Sequence, residues 1–329
     1  MKLQIGFTPL MRDIREAKTF RAPKNIILKI LIFVGVFLVL QIVESFAIVA
    51  ALMPRLMEWA AQQVEAHGSV ANDAMLDKLA DLLLDPANTT IMLVCTGFGT
   101  LLVLLYCRVV EGRKFHTMGF YKKGWWWKYL VGLLCGFTAF SMVIGISMLM
   151  GGLHYDGYRG QFGQGLLLVF IGFLIQGMSE EVFCRGFMMT TTLRHQNVWW
   201  AVAVNVVGFA LAHGANPGFS LLAFVNLMLY AGMISLYVLR TNDLWGACAF
   251  HSIWNFAQGN FYGLPVSGID AGDTVFAMSL TGSPLANGGE FGLEASLATT
   301  IVMIVWILVL LFVPNPFAKK QDAAPAEAE

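Results

Sequence analysis

The chain has 329 residues, of which 57% are hydrophobic and 13% charged, and its 21 Lys and Arg residues balance its 21 Asp and Glu residues. Soluble domains carry about 25% charged residues, so this composition argues against a soluble enzyme, and the zero net charge offers nucleic acid no basic face. A bundle of membrane helices can expose such an apolar surface to lipid. We therefore predict an all-α fold, a polytopic helical bundle surrounded by the lipid bilayer, with no nucleic-acid partner.

A basic N-terminal segment, residues 1–25, precedes an apolar run that is too long for a signal-peptide core. A membrane-spanning helix needs about 20 mostly apolar residues, and this run is the first of eight that qualify. The predicted spans are residues 26–53, 90–107, 128–151, 164–190, 197–213, 219–239, 244–262 and 294–313. We expect the segment between the first two spans to form amphipathic helices at the outer surface.

The distribution of Lys and Arg predicts the orientation of the chain. Basic residues accumulate in cytoplasmic loops, and alternating the eight spans leaves three of the 21 Lys and Arg residues, Arg55, Lys78 and Arg159, on the side opposite the N-terminus. We therefore expect both termini in the cytoplasm, and the composition suggests a bacterial inner membrane. No linker divides residues 26–316, so they are interpreted as one bundle, and residues 317–329 as a disordered cytoplasmic tail.

Ionisable side chains inside spans mark functional candidates, because burying one in the membrane costs a few kcal/mol even on lenient scales. The fourth span contains "GMSEEVFCRGF", the fifth ends in "GFALAHGANPG", and the seventh contains "AFHSIWNFAQGN". At a rise of 1.5 Å per residue, the polar groups of the three spans lie at similar depth. The candidate site residues are Glu180, Glu181, Arg185, His213, His251 and Asn255.

Helical spacing separates the two adjacent carboxylates. Glu181 and Arg185 are four residues apart, so they share one face of a helix and can form an ion pair. Glu180 is turned about 100° away and stays free of that pair. His251 and Asn255 are also four residues apart, which directs an imidazole and an amide into the same space.

The three motifs carry a resemblance to a known family. "EEVFCR" from Glu180, "FALAH" ending at His213 and "HSIWN" from His251 match the patterns EExxxR, FxxxH and HxxxN in that order. The sequence thereby resembles the CAAX protease and bacteriocin-processing (CPBP or Abi) family of intramembrane endopeptidases, which is related to the Ras-converting CAAX endopeptidase. The matching core covers residues 164–260, under a third of the chain.

The resemblance implies a peptide hydrolase with its polar site inside the membrane. In that family the first glutamate and the FxxxH histidine activate a water, which would make Glu180 the general base and give His213 the task of holding the water. Glu181 and Arg185 would fix the helix that carries Glu180. The HxxxN pair, here His251 and Asn255, would donate hydrogen bonds to the oxyanion.

The resemblance leaves the involvement of a metal open. Glu180, His213 and His251 could supply a zinc site of two histidines and one carboxylate with water in the fourth position. A metal-free mechanism uses the same residues, so no cofactor is implied with certainty. We favour the metal-free alternative, because Asn255 behind His251 suits a pair of oxyanion donors better than a ligand.

The leading hypothesis is an endopeptidase that cleaves a peptide or a membrane protein within or beside the membrane. The alternatives are a non-catalytic scaffold and a proton-coupled transporter that uses the same polar cluster as a relay. A transporter of this kind would be expected to show inverted repeats or paired broken helices, whereas the sequence shows a single Gly and Pro break after His213. No residue of the three motifs is missing, which argues against a degenerate scaffold.

Overall fold

The computed structural model describes residues 8–160, 163–270 and 272–313, which are mostly helical and confirm the predicted all-α membrane bundle. In chain order the helices are α1 (Pro9–Glu16), α2 (Ile26–His67), α3 (Asn72–Leu84), α4 (Thr89–Val109), α5 (Trp125–Leu149), α6 (Gln164–Glu181), α7 (Thr190–Leu193), α8 (Val198–Ala212), α9 (Leu221–Thr241), α10 (Trp245–Phe256), α11 (Pro284–Asn287) and α12 (Leu297–Phe312). The π-helical segments Val182–Met189 and Ala257–Phe261 continue α6 and α10.

A helix lies at each of the eight predicted spans, and five of these are long and apolar enough to cross a membrane. These five are α2, α4, α5, α9 and the continuous helix Gln164–Leu193. Helices α8 and α12 are apolar but shorter, and α10 has 12 residues before its π-helical continuation. The chain is thus an integral membrane protein, while the number of eight spans stays a prediction.

Capping side chains define where several of these helices begin. Asn25, Asn197, Ser220 and Ser296 each accept hydrogen bonds from backbone N–H groups in the first turn of α2, α8, α9 and α12, respectively. Such caps satisfy donors that have no partner inside the helix. Because α8 begins after Asn197 and ends at Ala212, His213 lies directly at its C-terminal end.

The helix of the first predicted span, α2, differs from its predicted bounds. We expected a span ending at residue 53 and separate amphipathic helices beyond it, but α2 continues through Pro54 to His67. Its 42 residues span about 63 Å, roughly twice the hydrocarbon thickness of a bilayer. The extension is supported by α3, because Leu52 and Leu56 form a buried apolar cluster with Leu82.

Close helix packing joins α5 to α10. A Cβ atom at Gly132 would lie 2.9 Å from Cβ of Ala249, and one at Gly136 would lie 2.5 Å from the carbonyl oxygen of Phe250. Glycines at these positions let the two helices approach closely, as is common between membrane helices. This contact fixes α10, which carries His251, against the bundle.

The far end of the helix that carries Glu180 is held by a buried ion pair. Arg113 lies 3.1 Å from Glu111, and its guanidinium also donates to the hydroxyls of Thr190 and Thr191. Both charged side chains are almost fully buried. The loop after α4 is thereby joined to α7, which limits motion of the π-helical segment between α7 and the site.

A two-stranded antiparallel sheet, absent from the sequence prediction, joins β1 (Leu153–Tyr158) to β2 (Phe276–Leu280). Leu153 lies opposite Leu280, and the two strands connect segments that we had treated as loops. Sequence reasoning missed them because each strand is only five or six residues long. Residues 317–329 lie outside the described residues, and the division into an N-terminal segment, one bundle and a tail stays a prediction.

Candidate active site

The side chains of Glu180, His213 and His251 converge from three different helices. Oε2 of Glu180 lies 3.9 Å from Nε2 of His213 and 3.7 Å from Nε2 of His251. These distances exceed a direct hydrogen bond, but a single water could bridge Glu180 to one of the two histidines. The similar depth that the sequence predicts for these groups therefore agrees with the geometry.

The other ring nitrogen of each histidine is bonded to a group that can only accept. Nδ1 of His213 lies 2.9 Å from the carbonyl oxygen of Phe209, and Nδ1 of His251 lies 2.8 Å from Oε1 of Glu181. Both Nδ1 atoms must therefore carry a hydrogen, and both Nε2 atoms face Glu180. When a ring carries only the Nδ1 hydrogen, its Nε2 lone pair faces the carboxylate of Glu180, and when the ring is the imidazolium, its Nε2–H faces that carboxylate.

In the part of the chain that the structure describes, the carboxylate of Glu180 has one oxygen without a hydrogen donor. Oε2 of Glu180 is buried and has no hydrogen-bond partner among the described residues. A buried acceptor without a donor is costly, and such atoms in native proteins usually mark bound water, an ion or a reactive group. A water placed here can donate to Glu180 and to one of the two imidazoles.

The predicted ion pair between Glu181 and Arg185 is present. Oε1 of Glu181 lies 2.9 Å from a terminal nitrogen of Arg185, and both side chains are fully buried. Arg185 also donates to the carbonyl oxygen of Ala231 on α9. The geometry adds a contact that spacing did not predict, because the same oxygen of Glu181 also accepts from His251.

Gln176 is a residue of the site that sequence reasoning missed. Its side-chain nitrogen donates to Oε1 of Glu180, and its side-chain oxygen accepts from the amide of Asn255 at 3.0 Å. It therefore connects the first motif to the third. The signal was available, since Gln176 precedes Glu180 by four residues and so shares its helix face.

A close backbone contact joins α6 to α10 beside these groups. A Cβ atom at Gly177 would lie 2.7 Å from the backbone nitrogen of Ser252, closer than van der Waals contact allows. Ser252 follows His251, and Gly177 lies three residues before Glu180. The separation of Glu180 and His251 is thus determined by direct contact between the two helix backbones.

A further carboxylate, on α2, lies near the site. Glu44 on α2 packs against Gly99 on α4, where a Cβ atom would collide with its carboxylate. Its charge is close enough to Glu180 to interact with it electrostatically. Sequence reasoning found no motif around Glu44, since its neighbour in space is about 136 positions away in the chain.

The non-helical segment that follows His213 packs against two later loops. Asn216 donates to the carbonyl oxygen of Ser267, and a Cβ atom at Gly218 would lie 2.4 Å from the backbone nitrogen of Phe291. The buried carboxylate of Glu294 accepts from both the backbone N–H and the hydroxyl of Ser267. These contacts hold the non-helical segment after His213 against the loops at Ser267 and Phe291.

The suggested metal ligands do not form a metal-binding group here. Among the described residues, no three His, Cys, Asp or Glu side chains are arranged to hold a metal ion. Oε2 of Glu180 lies 3.9 Å and 3.7 Å from Nε2 of His213 and of His251, so the zinc-dependent mechanism stays an alternative.

Comparison with known proteins points to one family. The family model described as type II CAAX prenyl endopeptidase Rce1-like matches residues 162–257, which include all three motifs. No curated protein matches the chain, and no solved structure does. The resemblance predicted from the three motifs is thus confirmed: residues 162–257 of this chain match the Rce1-like family of type II CAAX prenyl endopeptidases.

Proposed function

We propose that the protein is an intramembrane endopeptidase in which Glu180 activates a water for attack on a peptide bond. The observation that carries this proposal is the convergence of Oε2 of Glu180 with Nε2 of His213 and of His251. A general base must lie within reach of the proton that it removes, directly or through one water. The family match supports a protease, and the geometry supports this choice of base.

The reaction can be written with these groups alone. Glu180 takes a proton from the water while the water oxygen bonds to the carbonyl carbon, and the carbonyl oxygen becomes an oxyanion. When the intermediate collapses, the C–N bond breaks and Glu180 returns the proton to the leaving amine. His213, whose Nε2 lone pair faces the water position, holds the attacking water in place.

The oxyanion is stabilised by His251 and Asn255. His251 donates from Nε2 as the imidazolium. The carboxylate of Glu180 lies near Nε2 and that of Glu181 near Nδ1, so a negative group lies at each end of the charged ring. Asn255 has a second amide hydrogen beyond the one given to Gln176. Preorganised donors of this kind supply a large part of the rate enhancement in acyl-transfer enzymes.

Glu181 and Arg185 have a positioning role in this proposal. The buried ion pair fixes Glu181, which in turn holds the imidazole of His251 through Nδ1. A carboxylate bonded in this way selects the tautomer and orientation of a catalytic histidine. The six residues of the three motifs therefore divide into base, water holder, oxyanion donors and the pair that orients them.

The proposed substrate is a peptide or a membrane protein presented from the lipid bilayer. The description of the matching family names prenylated CAAX proteins, so a farnesylated CAAX peptide and its unprenylated counterpart are the first defined probes. The proposed location is a bacterial inner membrane with both chain termini in the cytoplasm. A zinc-dependent variant of the reaction is the alternative that chelation tests.

The proposal is tested by comparing new peptide N-termini in membranes that contain wild type, Glu180→Gln or Glu58→Gln. Glu58 is an exposed carboxylate on the projecting part of α2 and serves as the matched control. We expect the same cleavage products with wild type and Glu58→Gln, and their loss with Glu180→Gln. Identical products from all three membranes would contradict the proposal and favour the scaffold or transporter alternative.

A further inference from the structure

Three buried polar atoms beside the Glu181–Arg185 pair have no hydrogen-bond partner among the described residues. They are the second carboxylate oxygen of Glu181, Nε of Arg185 and the hydroxyl oxygen of Tyr230. Unpaired buried polar atoms are rare in native proteins, and three in one cluster call for a common explanation. None of them takes part in the hydrolysis described above.

Tyr230 lies on α9, outside all three motifs, yet it contacts two of them directly. Its ring meets the imidazole of His251 edge-on at 5.4 Å and stacks on Phe209 at 5.9 Å. The next residue, Ala231, accepts a hydrogen bond from Arg185. Tyr230 is 6% exposed, so its position among these groups is fixed by packing on every side.

Tyr230 and the charged pair share two neighbours. Phe209 lies 5.9 Å from the ring of Tyr230 and 4.8 Å from the guanidinium carbon of Arg185, and His251, which bonds to Glu181, lies 5.4 Å from the same ring. Nε of Arg185 shares one edge of the guanidinium with a terminal nitrogen. A terminal nitrogen of Arg185 donates to the carbonyl oxygen of Ala231, the residue after Tyr230 on α9. The three unpaired atoms therefore belong to one small region between α9 and the π-helical segment.

The donors and acceptors in this region match the capacity of one water molecule. The tyrosine hydroxyl and Nε of Arg185 each supply a hydrogen, whereas the ionised carboxylate of Glu181 can only accept. One water can accept from both donors and donate to the carboxylate, and buried waters typically make about three such bonds. Without this link, all three groups would bear the cost of unpaired burial.

We propose that Tyr230, Arg185 and Glu181 bind one buried water, and that through this water Tyr230 acts as a positioning residue for His251. The water restrains the second oxygen of Glu181, while the first oxygen is bonded to Arg185 and to Nδ1 of His251. The carboxylate is then fixed at both oxygens. The fixed carboxylate of Glu181 then holds the imidazole of His251 in a single orientation.

The catalytic consequence of this link rests on the proposed function, but the link itself does not. The test therefore has one readout that requires no substrate. In detergent-solubilised full-length protein labelled with ¹⁵N-histidine, the Nδ1–H proton of His251 is identified by its loss in His251→Asn. Tyr230→Phe removes only the hydroxyl and keeps the ring, and Tyr237→Phe is the control, a buried tyrosine two turns further along α9.

We expect Tyr230→Phe to shift this resonance and Tyr237→Phe to leave it in place. On the peptide identified for wild type, kcat of Tyr230→Phe should fall about 10-fold, because even a small misplacement of a catalytic group lowers the rate, by up to about 10²-fold for 1 Å. Its KM should match that of wild type, which separates positioning of His251 from substrate binding.

Each of the other possible results contradicts one part of the proposal. An unchanged resonance overturns the proposed water link, even where kcat or thermal stability falls. A shifted resonance with normal kcat, in a wild type that cleaves peptide, overturns the positioning role. The remaining case is a shifted resonance in Tyr230→Phe together with a wild-type protein that cleaves no peptide and whose cleavage products do not differ from those of Glu180→Gln. This result supports the water link and contradicts the proposed function.

Discussion

Gln176 and Asn255 are joined by a side-chain hydrogen bond of 3.0 Å that crosses from α6 to α10. The same glutamine donates to the carboxylate of Glu180. The proposed base and one proposed oxyanion donor are thus held by a single side chain. The distance between the carboxylate of Glu180 and the amide of Asn255 therefore depends on Gln176.

Replacing Gln176 with alanine should therefore impair catalysis more than folding. The variant leaves Glu180 and Asn255 free to change rotamer, and misplacement of a catalytic group by about 1 Å can cost roughly 10²-fold in rate. We expect kcat to fall by about 10-fold to 10²-fold with normal membrane insertion. Gln164→Ala, an exposed change at the start of the same helix, is the control and should keep full activity.

The two neighbouring glutamates should respond differently to the same substitution. Glu180→Gln keeps size and removes the base, so hydrolysis should fall about 10²-fold to 10⁴-fold in folded protein. Glu181→Gln leaves Arg185 buried and without its counter-charge, which costs about 3–5 kcal/mol and should appear first as lower thermal stability. A stable and inactive Glu181→Gln would show that the two roles had been exchanged.

Reporter fusions can test the orientation of the chain. Ala66 lies in the last turn of α2, and Lys123 lies in the loop between α4 and α5, so one crossing by α4 separates them. We expect fusions after these residues to lie on opposite sides of the membrane, with Lys123 in the cytoplasm. Reporters on the same side would contradict the topology derived from the Lys and Arg distribution.

Chelation distinguishes the two forms of the hydrolytic mechanism. With a carboxylate as the base and no metal ligand set among the described residues, purified protein should keep its activity after dialysis against a strong zinc chelator. The measurement is the rate before dialysis, after it, and after zinc is added back. Activity that disappears and returns with zinc would favour the metal-dependent alternative.

Residues close together in the chain carried most of what the sequence could predict. Helical spacing predicted the ion pair of Glu181 and Arg185. The similar depth of the polar groups predicted that Glu180 lies near both histidines, as it does. The unpredicted contacts join distant segments. His251 bonds to Glu181 across 70 positions, and the ring of Tyr230 packs on it from a helix with no motif.

The bounds of α2 could not be predicted for a different reason. Hydropathy measures where an apolar stretch ends, and the stretch does end near Pro54. Helix continuation beyond it depends on packing of Leu52 and Leu56 against Leu82, which belongs to a later helix. Such support is a tertiary effect, and it can offset the lost hydrogen bond at a proline.

The contact of Gly177 with Ser252 has a consequence for the protein in different membranes. Helices adapt to a thicker or thinner bilayer mainly by changing their tilt. Because α6 and α10 touch through their backbones, with only a hydrogen atom on Gly177 between them, they must tilt as one body. The distance from Glu180 to His251 should therefore stay constant as lipid chain length varies, so that bilayer thickness alters access of substrate rather than the chemistry.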